Sequence, residues 1–260
     1  MFATRNSTRL SALLLCVAIA ASACSDSAAS AARRPLTVSL TTQAQGAVAD
    51  RGPLTDITIV AGTNSLVITK AQLVARRIEL APVSATGCAG VAEAGDDNAE
   101  AEDGCADVEI GPTLLDIPVD GATKTNITAS VPTGRYRALE MRIEPVGSSG
   151  NRNTVAFVVS HPEFKNASVR IEGTFNGKAF VFTSAVDTRI ESVFATPMSV
   201  DAANPNLTVA IDLTNWFSDG SGGTLDPSNG ANGARISANI ANSFRAFEDN
   251  DRDGHDDHQR

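Results

Sequence analysis

Near the end of this 260-residue chain, acids alternate through Glu248-Asp249-Asn250-Asp251-Arg252-Asp253-Gly254-His255-Asp256-Asp257. Carboxylates two positions apart in a tight turn can be aimed at one centre, and calcium is a hard cation that wants several oxygen ligands. Asp249, Asp251 and Asp253 are the alternating candidates, and Gly254 suits the sharp turn. The main-chain carbonyl of His255 would add an oxygen, and Asp257 would bind directly or through water. The expected cofactor is therefore Ca2+. Two other readings use the same residues. His255 and His258 with neighbouring carboxylates would make a transition-metal set, and a run of like charges can simply be a solvated tail.

The spacing Asp-x-Asp-x-Asp-Gly resembles the calcium loop of EF-hand proteins, and a helix ending in Phe244 and Phe247 would stand as the entering helix. This sequence has Arg260 where that loop closes with a bidentate Glu, and no exit helix follows. A complete hand is therefore not expected, and an incomplete loop belongs at the weak end of the calcium range, about 10⁻⁴–10⁻³ M.

Cysteine is the second source of chemistry. Cys88 and Cys105 bracket 16 polar and small residues, AGVAEAGDDNAEAEDG. No His or further Cys lies nearby to complete a tetrahedral metal set. A disulfide closing a loop of that size stabilises by roughly 3 kcal/mol in the chain-entropy model. The acids of this loop lack the Asp-x-Asp alternation, so a charged surface loop is expected there.

The N-terminus reads as an export signal. Arg5 and Arg9 precede the apolar run Leu10 to Ala20, which is too short for a permanent span, and small residues lead to Ala21-Ser22-Ala23-Cys24. That ending resembles the lipobox of bacterial lipoproteins, in which the cysteine is acylated and begins the mature chain. The resemblance implies lipidation of Cys24 and, with Ser25 following, an outer-membrane location. Simple cleavage after Ala23 is the competing reading. The expected partner is then the membrane, reached through the lipid anchor, with a protein or glycan partner left open.

Catalytic patterns are sparse. There is no Gly-x-Ser-x-Gly elbow, and Gly173 to Lys178 (GTFNGK) is one residue short of a phosphate loop. His161 before Pro162 reads as an exposed loop residue. Glu140 and Glu144 flank Arg142 on one strand face, and Trp216-Phe217 reads as core. A net charge of −9, from 21 basic and 30 acidic residues, argues against a nucleic-acid partner. A non-catalytic binding or structural module is the expected class. Capture of a small molecule or glycan is the alternative, and a carboxylate-based hydrolase stands third.

Positioning these groups requires a β framework. Residues 24–35 read as a tether, and from residue 36 the apolar period is two: Leu36, Val38 and Leu40, then Leu139, Met141 and Ile143 opposite Glu140, Arg142 and Glu144. Further strands are expected at 56–60, 72–80, 108–117, 154–160, 168–175, 178–184, 188–194 and 206–213. Asn176-Gly177 is the favoured pair of a type I′ hairpin turn. The expected fold is mainly β, an antiparallel sandwich over 36–217, with an Ig-like arrangement or an open barrel as variants. A Gly/Ser-rich linker follows at 218–233. Ile236, Ile240, Phe244 and Phe247 then predict a helix over 234–247 that leads into the acidic loop.

Residues 66–80 (LVITKAQLVARRIEL), 114–119 (LLDIPV) and Val131-Pro132-Thr133-Gly134-Arg135-Tyr136 into 138–144 resemble bacterial envelope lipoproteins with β-sandwich domains of unknown function. The resemblance covers about a third of the chain and implies fold and location, not an activity. A fainter likeness is to copper-associated periplasmic lipoproteins of similar strand order. With 3 His in the chain, no copper site is carried over from it.

Overall fold

The computed structural model describes residues 32–42, 56–83, 106–147, 152–201 and 205–258. Residues 1–31, which include Cys24, and the pair Cys88 and Cys105 lie outside the described residues. Where the tether was expected to run to residue 35, strand β1 already begins at Arg33.

Two sheets enclose one core. The larger is built on β3 (Asn64–Pro82), a long strand that begins well before the expected stretch at 72–80. One side of β3 pairs with β2 (Ile57–Ala61) and then β4 (Ala106–Ile117). The other side pairs with β7 (Val169–Phe175) and then β6 (Gly134–Ile143). The hairpin partner β8 (Lys178–Ser184) extends the sheet beyond β7, and β9 (Thr188–Val200) extends it beyond β6. The smaller sheet runs β11 (Phe244–Glu248), β10 (Asn206–Ile211), β1 (Arg33–Thr41), β5 (Thr123–Pro132). Among the described strands all pairs are antiparallel except β1 with β10, which run parallel with Thr37 beside Asn206. Leu36, Val38 and Leu40 of β1, Leu207 and Val209 of β10, and Leu73, Leu80, Leu139 and Ile171 of the larger sheet share one buried cluster. Alternation along each strand places these residues on the inner faces, so the molecule is a β-sandwich.

At the β7–β8 hairpin, Asn176 and Gly177 both have positive φ, 51° and 78°. The type I′ turn requires that geometry, and its twist matches the strands it joins. On the outer face of the larger sheet, Glu79, Glu140 and Glu191 stand in one row and Arg77, Arg142 and Arg189 in the next. Like charges directly opposite destabilise. The Arg77–Glu79 pair at 3.1 Å and the Arg189–Glu140 pair offset that repulsion across the rows.

Two expectations are corrected. Residues 154–160 form not a strand but helix α1 (Arg152–Ser160). Its β-branched content favours a strand, but Phe157 packs with Val74, Val146 and Phe164 in a second small core on the outer sheet face, and that tertiary contact decides. The helix expected over 234–247 ends early. After α2 (Leu213–Trp216), α3 spans Gly233–Ala241, with Ile236 and Ile240 fully buried. Asn242 and Ser243 then turn their side chains onto the Ala238 and Ile240 carbonyls, and the chain becomes β11. Phe244 and Phe247 are therefore strand residues, because β10 offers a main-chain ladder that the apolar spacing did not reveal. The 218–233 stretch is irregular, and its turns are held by hydrogen bonds. The Asp219 carboxylate accepts the N–H groups of Ser221 and Gly223, and Leu225 N–H donates to the Phe217 carbonyl.

Candidate metal centre

β11 delivers the acidic loop. Glu248 pairs with Leu207, and the ladder continues one step further as Asp249 N–H donates to the Asn206 carbonyl at 3.1 Å. The chain then turns sharply, with Arg252 at φ 61° and Gly254 at φ 83°. Gly254 is buried beneath the turn, and only glycine adopts that conformation without strain.

Asp249 is fully buried. Its Oδ1 accepts the Asp253 N–H at 3.0 Å, and its Oδ2 accepts the Gly254 N–H at 3.0 Å and the Thr208 hydroxyl at 2.7 Å. Burial pushes its carboxyl above the usual aspartate range, and these three donors hold it back in part. Asp257 sits where its Oδ2 accepts the Asn250 N–H at 2.9 Å, while its own N–H donates to the Glu248 carbonyl at 3.1 Å. Exposed Asp251 accepts the Asp253 N–H at 3.3 Å.

Asp249, Asp251 and Asp257 each offer one oxygen, and these oxygens lie within 4.8 Å of one another. Three carboxylates this close repel, and a divalent cation among them would relieve that repulsion. Asp253 is not in this group. Its Oδ1 accepts the His255 N–H at 2.9 Å and lies 3.4 Å from His255 Nδ1. His258 meets other acids, with Nε2 at 3.9 Å from Glu248 and Nδ1 at 3.7 Å from Asp256. Of the five residues expected to ligate, the fold thus gathers the carboxylates of three and turns those of Asp253 toward His255.

Sequence reasoning missed the supports of the loop. Thr208 and Asn206 lie on β10, some forty residues before Asp249. Alternation marks Thr208 as the polar side of a strand but says nothing of what it faces. The entering element is also a strand, not the expected helix.

Elsewhere, Trp216 and Phe217 are fully buried, so they serve the core. A cleft of about 340 Å³ lies along α1, lined by Gly111, Pro112, Asn153, Phe157 and His161 among others. There the His161 ring packs 4.8 Å from that of Phe157, and its Nδ1 is 3.7 Å from Glu163. Glu140 and Glu144 are engaged by arginines, Arg189 and Arg142 respectively.

No protein-family model and no curated protein matches this chain. Among solved structures, MbnP from Methylosinus trichosporium is similar over 83% of this chain and 99% of its own, at 14% identity and a TM-score of 0.44.

Proposed function

We propose that this chain is a non-catalytic binding or structural module of the cell envelope, held by lipid on Cys24, whose C-terminal loop takes a calcium ion. The observation that carries the calcium reading is the convergence of the Asp249, Asp251 and Asp257 oxygens within 4.8 Å. Calcium suits the loop because it accepts irregular oxygen geometry, whereas magnesium demands a near-octahedral set. Main-chain carbonyls of the turn would complete the shell. With few carboxylates and an exposed side, affinity falls at about 10⁻⁴–10⁻³ M. Titration calorimetry on the mature chain should show binding in that range, weakened by Asp251→Asn. Absence of heat, together with a melting temperature indifferent to chelator, contradicts it.

The anchoring reading rests on the leader and on Ala21-Ser22-Ala23-Cys24. Two or three acyl chains hold firmly where one does not. Labelling with a radioactive fatty acid should mark the protein, and Cys24→Ala should abolish the label. Unchanged labelling would overturn it. Export into an oxidising compartment also favours a Cys88–Cys105 disulfide.

A further inference from the structure

Asn206 opens β10 and is fully buried. Its main chain accepts the Asp249 N–H at 3.1 Å and donates to Asn250 Oδ1 at 3.2 Å. Its side-chain Nδ2 donates to the Asp249 carbonyl at 2.8 Å and to Thr208 Oγ1 at 3.1 Å. Its Oδ1 accepts the hydroxyls of Thr37 at 2.7 Å and Ser39 at 2.8 Å, both on β1. Ser39 Oγ lies in turn 3.1 Å from Thr125 Oγ1 on β5. Thr208 Oγ1, having accepted from Asn206, donates its own hydroxyl hydrogen bond to Asp249 Oδ2.

The result is a chain of polar groups running from β5 through β1 and β10 to the first carboxylate of the loop. Asparagine is the residue type this hub requires. Its amide end must donate twice and its carbonyl end must accept twice, which neither aspartate nor leucine can do. Buried hydrogen bonds in series polarise and strengthen one another, and breaking one leaves a desolvated partner behind. Thr125, Ser39, Thr37, Asn206 and Thr208 all lie outside the acidic loop that they support.

We infer that Asn206 and Thr208 are the positioning pair of the acidic loop, fixing Asp249 in its buried pose and tying the loop to β1. The inference rests on the calcium reading for its effect on affinity, but not for its effect on the loop itself. Arg252, whose Nη2 lies 3.3 Å from Thr37 Oγ1, adds a second tie to the same strand.

The test uses the full mature chain with Thr208→Val, Thr208→Ser and Asn206→Ala, each checked for folding by circular dichroism. In calcium-free buffer, amide exchange at Asp253 and Gly254 should quicken about tenfold in Thr208→Val, the scale of one lost hydrogen bond to a charged group. Thr208→Ser keeps the hydroxyl and should restore the wild-type rate. Asn206→Ala should quicken the same amides together with those of Thr37 to Leu40. With calcium added, Thr208→Val should raise Kd about tenfold and Thr208→Ser should not. Unchanged exchange at Asp253 and Gly254 in both Thr208→Val and Asn206→Ala overturns the inference, whatever calcium does. Quickened exchange with no calcium binding to the wild type supports the positioning role and refutes the calcium reading alone.

Discussion

Asp249 and Asp251 stand two residues apart and do different work. Asp249 is buried and holds three donors, from Thr208, Asp253 and Gly254. Asp249→Ala strands all three, so without calcium it should cost about 2–3 kcal/mol in denaturant unfolding. Exposed Asp251→Asn should change calcium-free stability by less than about 0.5 kcal/mol while weakening calcium binding. Equal calcium-free losses for the two would show that Asp251, too, holds the loop together without an ion. Asp219 gives a pH signature of its own. The N–H groups of Ser221 and Gly223 and the Ser221 hydroxyl hold its carboxyl below the usual aspartate value. A lowered folded pKa means that the stabilisation is complete above the ordinary aspartate range and is lost as pH falls through the lowered value. Protection of the Ser221 and Gly223 amides should therefore fade in acid below that range, and Asp219→Asn should remove the pH dependence. The acids and Gly254 were legible because their alternation is local. Thr208 and Asn206 were not, because a hydrogen bond across forty residues leaves no mark in either stretch.

At the level of elements, period two located nearly every strand of the sandwich, and Asn176-Gly177 located its tightest hairpin. The failures share a cause. Residues 154–160 and 244–247 both carry apolar spacings that suit helix or strand, and the partner decides. For α1 that partner is the small core around Val74 and Phe164, which leaves Val155 and Val159 exposed at 44% and 76%. For β11 it is the free edge of β10. A glycine inside β7 reveals how close the strands run. Gly173 sits opposite Ile68, and a Cβ there would drive into the Val67 carbonyl. Gly173→Ala should thus force β3 and β7 apart and cost about 1–3 kcal/mol, read by thermal or urea unfolding. A variant as stable as the wild type would show that β7 is loosely held.

Across the whole molecule, the sandwich is tied at its edge by a side chain. Ser192 of β9 is nearly buried, donates to the Ala246 carbonyl and accepts the Ala246 N–H, both at 2.9 Å. β11 is therefore held by β10 on one side and by Ser192 on the other, and it leads directly into the acidic loop. A loop anchored on both sides in this way would present its carboxylates already arranged for the proposed ion. Acidity is likewise placed rather than spread. Of the 30 acids, six lie between Cys88 and Cys105 and six between Glu248 and Asp257, and only the second group has alternating spacing. The proposal that a strand-led loop on a β-sandwich holds calcium has one decisive test. Diffraction from crystals grown with and without calcium, recorded for anomalous signal, tests it most directly. One peak is expected, with oxygens of Asp249, Asp251 and Asp257 at about 2.3–2.6 Å from it. A loop with the same hydrogen bonds and no peak at millimolar calcium would contradict it.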